Sequence, residues 1–240
     1  MSDVAELEKG VKNLSVAPEK PGPCPESAKE LLVYQDDAAL GQKLASISSL
    51  KFHNGDAFDV GQGKVCVMTF FCNLNKSDYV TLSVLSDIYQ KYKDQANFVA
   101  VSRDHSDEDT AKWLKKYNGK FMAEQKGPNG EAGVTSRCDF QMAFDEDHKV
   151  NNELKTIMKK ATVGVGMTII FDKEGKIAWY EQYSRGVNAT GQFEYQLHAI
   201  VNGTELLSNG DAPEIVEEEV EGGGAVPDDI DFLGGGGGDY

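Results

Sequence analysis

The stretch Lys64–Tyr92, KVCVMTFFCNLNKSDYVTLSVLSDIYQKY, decides the fold. Its first part, Val65–Phe71, is an unbroken apolar run rich in β-branched and aromatic residues, introduced by Gly61-Gln62-Gly63. Such a run reads as a buried strand. An amphipathic helix follows from near Ser77-Asp78, a natural N-cap pair, carrying Leu82, Leu85, Ile88, Tyr89 and Tyr92. A strand feeding a helix N-terminus is where α/β proteins place chemistry, because free backbone N–H groups and the helix dipole favour thiolates and anions there. In this chain the positions that would carry that chemistry hold Asn75 and Asp78.

Working outward, Ser27–Leu50 has the leucine spacing of one or two short helices. Lys51–Val60 reads as a strand, a turn at Asn54-Gly55, and a second strand. On the other side, Asn97–Ser102 is a second buried strand and Thr110–Tyr117 a short helix. Gly119 to Cys138 is irregular, with a turn at Gly127-Pro128-Asn129-Gly130. A strand at Phe140–Phe144, a helix over Asp147–Lys160 and a strong strand at Gly166–Asp172 come next. The turn Lys173-Glu174-Gly175, a partner strand at Lys176–Tyr180 and a helix over Gln192–Val201 close the pattern. Alternating strands and helices predict crossover connections, a mostly parallel centre and an antiparallel hairpin edge.

This gives three parts. Residues 1–26 form a Pro-containing flexible arm, 27–208 one α/β domain with an insertion at about 119–138, and 209–240 an acidic Gly-rich tail. The chain has 240 residues and a formal net charge of −15. Nine of the 39 acids lie in 213–240, which contains no Lys or Arg, so much of the acidity belongs to the tail. Nucleic-acid binding, which needs clustered Lys and Arg, is disfavoured. No apolar run is long enough to span a membrane, and the polar N-terminus lacks a secretory h-region; a cytoplasmic location is expected. Four cysteines (Cys24, Cys66, Cys72, Cys138) without C-x-x-C spacing suit a reducing compartment, and with four histidines they make no metal-ligand pattern. Neither a cofactor nor a metal is expected.

The order of elements, together with particular segments, resembles the thioredoxin-like superfamily, especially its TlpA/redoxin and AhpC/TSA-like members. GDAFDVGQGKVCVMTFF is similar to their entry segment, DIYQKY to the end of the first active-site helix, and SRDHSDEDTAKWLKKY to the second strand and its helix. VGVGMTIIFDKEGKIAWY is similar to the segment that carries their cis-proline and final hairpin. The resemblance implies a thioredoxin-like three-layer α/β/α fold, with a mixed central sheet and a C-terminal β-hairpin plus helix. It also implies where chemistry should sit. The two C-x-x-C positions correspond to Asn75 and Asp78, the cis-proline to Gly166, and the buried acid of the central strand to Thr69. The peroxidatic Thr-x-x-Cys is missing as well, since Leu82, Ser83 and Val84 follow Thr81. Arg103, Arg137 and Arg185 therefore have no matched peroxidatic cysteine to activate.

What remains for thiol chemistry is Cys72, at the end of the strand near the helix dipole, and more weakly Cys138, read as open to solvent in the irregular loop. Cys66, inside the apolar strand, reads as core. His105 and His148 read as turn residues. The expectation is a redox-inactive interaction or scaffold module with protein partners. The contact would run through the groove near Asn75–Asp78, the 119–138 loop or the acidic tail. A thiol oxidoreductase of thioredoxin/peroxiredoxin type using Cys72, and a holdase-type chaperone, are the alternatives.

Overall fold

A computed structural model of the chain describes residues 33–72, 75–117, 120–122, 135–182, 192–208 and 210–211. The N-terminal arm, residues 27–32, residues 123–134 of the insertion and the acidic tail from residue 212 onward lie outside these residues. The described chain forms β1 (Lys51–Phe52), β2 (Val65–Phe71), α1 (Lys76–Tyr92), β3 (Ala96–Ser102) and α2 (Asp107–Tyr117). There follow β4 (Lys120–Met122), β5 (Thr135–Arg137), β6 (Gln141–Phe144), α3 (Lys149–Met158), β7 (Met167–Phe171), β8 (Ile177–Gln182) and α4 (Gln192–Asn202).

The main sheet has the order β1-β6-β3-β2-β7-β8. β2 lies at its centre, parallel to β3 and antiparallel to β7, and β3 is parallel to β6. All seven residues of β2 are buried, as an apolar run without polar alternation requires. Its side chains divide with period two. Val65, Val67 and Phe71 meet Leu82, Leu85, Ile88 and Tyr92 of α1 and Phe193, Leu197 and Val201 of α4. Cys66, Met68 and Phe70 meet Val150, Leu154 and Met158 of α3 on the other face. Two apolar layers therefore clamp one sheet, giving the mixed α/β architecture that the element order predicts.

The sequence reading is corrected in several places. No helix forms among the described residues of 27–50; Ala39, Leu44, Ile47 and Leu50 are nonetheless buried. Their backbone is engaged elsewhere. Gly41 N–H and Gln42 C=O bond to Ile177, Lys43 bridges Lys176, and the Asp59 carboxylate accepts the Ile47 N–H at 2.7 Å. Tertiary hydrogen bonds outcompete the helical ones that the leucine spacing would permit. Likewise Lys51–Val60 is not a hairpin: β1 pairs with β6, and no strand follows the bend at Asn54-Gly55. The Asn54 side chain substitutes for a strand residue, donating to the Phe140 carbonyl at 3.1 Å and accepting the Met142 N–H at 2.6 Å. The helix expected from Asp147 is split, because Asp147 and His148 take left-handed backbone and α3 starts at Lys149. α1 starts at Lys76, just ahead of the expected Ser77-Asp78 cap.

The insertion is also more regular than its composition implies. β4 and β5 pair antiparallel at its base, and this arm is fastened to α1. The Ser83 hydroxyl accepts the Arg137 N–H at 2.9 Å, and the Ser86 hydroxyl accepts the Asp139 N–H at 2.9 Å. Arg137 also pairs with Asp87 and, at 2.9 Å, with Asp139.

The turn ahead of β2 presses on the β7–β8 turn. Gly61 has φ +71°, and a Cβ there would stand 2.8 Å from the Glu174 carbonyl oxygen. Gly63 has φ +82° but open space around it. Gly63→Ala should therefore cost only the backbone term, about 1 kcal/mol, and Gly61→Ala on the order of 2–3 kcal/mol because a backbone contact must also shift. Denaturant midpoints of the two variants check this difference.

Candidate functional site

The parallel strands β2, β3 and β6 end at the same edge of the sheet, where open α/β sheets place their ligands. Cys72, Arg103-Asp104 and Asp145 follow these three ends, and Gly166 precedes β7 there. Backbone bonds lock the edge: Arg103 N–H donates to the Phe71 carbonyl at 2.8 Å, and Gly166 N–H to the Phe70 carbonyl at 2.7 Å.

The entry to α1 is a closed polar loop. Asn75 N–H donates to the Cys72 carbonyl, and Asp78 N–H to the Asn75 carbonyl, both at 3.1 Å. The Asp78 carboxylate reaches back from the first turn of α1. One oxygen accepts the Cys72 N–H at 2.9 Å, and the other accepts the Asn75 side-chain amide at 2.9 Å. Asn75 and Asp78, the residues expected from the sequence resemblance at the two thiol positions, thus bind each other and the backbone of the strand end. Asp78 is only 2% exposed. Burial pushes its pKa up to about 7, the Cys72 N–H bond opposes that rise, and the field of Asp104 adds to it. Asp104 is itself buried and accepts the Ser102 hydroxyl at 2.7 Å; Thr110 donates to that same hydroxyl at 2.8 Å.

Thr69, expected from the resemblance to stand where a buried acid would, sits deeper in β2. Its hydroxyl is 2.9 Å from that of Thr168, its cross-strand partner in β7, and both side chains are buried. The two hydroxyls satisfy each other, and neither is an ionisable group. Gly166, expected from the resemblance at the proline position, has φ +85°, and every described peptide bond is trans. A proline could neither reach that φ nor donate the N–H that Phe70 accepts. Beside it the Val165 carbonyl is already taken by the Gln182 side-chain amide at 2.6 Å.

Among the cysteines, Cys72 is half-buried, at the strand end as expected, with a free thiol. Cys138 is a correction. It is buried in the α1 face of the core with Val67, Phe98 and Phe140, not open to solvent. Burial pushes its thiol up to about 12, so it is protonated at neutral pH. Cys66 is likewise buried and its thiol is raised by burial. The sequence reading passed over Arg103 and Asp104 as site residues. Their place at the end of β3, next to β2, is the signal that could have found them. The Arg103 guanidinium is partly buried, which lowers its pKa against the opposing field of Asp145. Asp145 does not pair with it as an exposed acid would; it caps α3 by accepting the Val150 and Asn151 N–H groups. Arg185 lies outside the described residues. Among the described residues no group of three or more His, Cys, Asp or Glu side chains is placed to hold a metal ion.

Asp78 makes folding pH-dependent. Its folded pKa near 7 stands above its ordinary 3.8, so the folded state holds the proton more tightly than the unfolded one. Its contribution is fully present below about pH 4 and is lost as pH rises through 7, on the order of 4 kcal/mol in all. Asp78→Asn, with Asn75 turned to offer its oxygen, keeps both bonds without charge. That variant should be more stable than the wild type near pH 8 and show a flatter profile between about pH 4 and 8 in denaturant titrations. Gly166→Pro should lose on the order of 2–3 kcal/mol at any pH in the same measurement.

The sequence profile of the AhpC/TSA family matches residues 40–180, more than half of the chain. No curated protein matches it in sequence. Among solved structures, a hypothetical protein from Sinorhizobium meliloti aligns with TM-score 0.50 and 14% identity, covering 70% of this chain and 86% of that one. A thiol:disulfide interchange protein from Bacteroides sp. aligns with TM-score 0.47 and 18% identity over 70% of this chain and 94% of its own. The thioredoxin domain of a thiol-disulfide oxidoreductase from Bacteroides vulgatus gives 0.41 and 18%, covering 58% and 85%. At 14% identity the first of these likenesses concerns the fold alone. With the profile match over residues 40–180, the chain belongs to the AhpC/TSA family.

Proposed function

We propose that this protein is a redox-inactive member of its family, acting as a protein-binding scaffold. The observation that carries this reading is the Asp78 carboxylate bridging the Cys72 N–H and the Asn75 amide. In a thiol-disulfide enzyme this loop presents a thiolate to solvent and a second thiol to resolve the mixed disulfide. Here the two positions carry an amide and a carboxyl group, and their polar atoms are spent on each other. Neither can form a sulfur–sulfur bond.

The backbone surroundings support a contact made through side chains. The outer edge of β8 is bridged at both ends, by Lys43 at Lys176 and by Gly210 at Tyr180. The free side of β6 is shared between β1 and the Asn54 side chain. With the Val165 carbonyl also occupied, an incoming strand finds few unpaired backbone groups beside Gly166. The β4–β5 arm is the better contact element. Its base is held on α1 by Ser83, Ser86 and Asp87, so binding there would not first have to order the mount.

Two activities test the reading, reduction of a protein disulfide with dithiothreitol as electron source and consumption of a hydroperoxide. The full chain should add nothing to the rate of the reductant alone, and Cys72→Ser should behave identically. Turnover by the wild type that disappears in Cys72→Ser would make the protein a Cys72-dependent oxidoreductase and end the scaffold reading.

A further inference from the structure

The chain leaves the described fold at a defined place. Gly210 pairs in parallel with Tyr180, the Asp211 N–H donates to the Tyr180 carbonyl at 2.9 Å, and the Asp211 carboxylate accepts the Gln182 N–H at 2.7 Å. Lys160 stands beside this exit. Its Nζ lies 4.8 Å from the centre of the Tyr180 ring, and its charge acts on the Asp211 carboxylate.

The sequence around Lys160 is one-sided in charge. From Leu154 to Phe171 the chain has no acidic residue, while Lys155, Lys159 and Lys160 gather at the C-terminal end of α3. Lys159 is exposed, and neither it nor Lys155 forms an ion pair with a described residue. The helix dipole alone favours cations at this end. It gives no reason for the acidic run that begins just past the exit. Glu214, Glu217, Glu218, Glu219 and Glu221 follow Asp211 closely, with no base among them. Extended chain covers about 3.3 Å per residue, so residues 214–221 reach from about 10 to about 33 Å beyond Asp211. The lysines that begin beside Asp211 are within that reach.

We propose that the acidic segment 214–221 docks in cis on Lys155, Lys159 and Lys160, forming a strap beside the outer edge of β8. Exposed pairs of this kind are weak one by one. Tethering changes the arithmetic, since a short linker holds the two charge runs together at an effective concentration on the order of millimolar. Salt weakens the strap, because its charges are solvent-facing and screened. It is independent of whether Cys72 reacts, so the activity assays do not bear on it.

Two variants of the full chain test it: Glu→Gln at 214, 217, 218, 219 and 221 together, and Lys155→Gln with Lys159→Gln. The readout is the set of backbone amide chemical shifts. Neutralising the tail should move the amides of residues 155–164, and neutralising the lysines should move those of 214–221. In the wild type, about 0.5 M salt, where screening reaches within a few Å, should reproduce both changes. Unchanged shifts at the opposite partner in both variants overturn the strap. Shifts that grow with protein concentration place the tail on a neighbouring molecule and overturn the contact in cis.

Discussion

Everything in the fold depends on β2 being buried on both faces at once. A strand in that position can show water no side chain, so its seven residues must satisfy two apolar layers of different shape. The helices α1 and α4 on one side and α3 with the 39–50 segment on the other are held where β2 can meet them. The same constraint explains the threonine pair. Thr69 is the one polar side chain in the run, and it is tolerated because Thr168 faces it across the ladder and takes its hydroxyl. An ionised acid in that place would require a partner or water; two hydroxyls require only each other.

The site edge follows the same economy. Where the family's chemistry would need groups left unsatisfied until substrate arrives, this edge pairs its carboxylates internally, and the Arg103 Nη1 is the atom it leaves buried without a hydrogen-bond partner. Asp78 holds the strand end and the loop, Asp145 holds the start of α3, and Ser102 and Thr110 hold Asp104. Catalytic sites ordinarily retain strain or unpaired groups as part of their mechanism. The costs kept here are the burial of the Asp78 carboxyl, which raises its pKa with a smaller contribution from Asp104, and the buried Arg103 Nη1, which has no hydrogen-bond partner.

Much of this was legible before any coordinates. The strands β2, β3, β7 and β8 and the helix α4 are found within a residue or two of where periodicity puts them, because each buries a long apolar stripe that leaves one solution. The segments that misled, Ser27–Leu50 and Lys51–Val60, are short and take their hydrogen bonds from distant partners such as Ile177, Asp59 and Phe140. Local spacing carries no information about such partners. At the site, counting from Phe71 located Asn75 and Asp78 correctly at the helix entry. It could not tell that their side chains close on each other and on Cys72, since that depends on Asp78 facing back along α1. Cys138 was misjudged for the opposite reason: polar neighbours in sequence, Arg137 and Asp139, face α1 while the thiol between them turns into the core.

The bond from Gly166 to Phe70 bears on which sequences this edge can accept. It uses a donor that proline lacks and a φ that proline cannot adopt, and it ties β7 to the strand that carries the core. Cysteines placed at 75 and 78 would put sulfur at the loop and leave this backbone shape as it is. A proline at 166 would instead take the donor from the Phe70 carbonyl, so a change there reaches across to the end of β2.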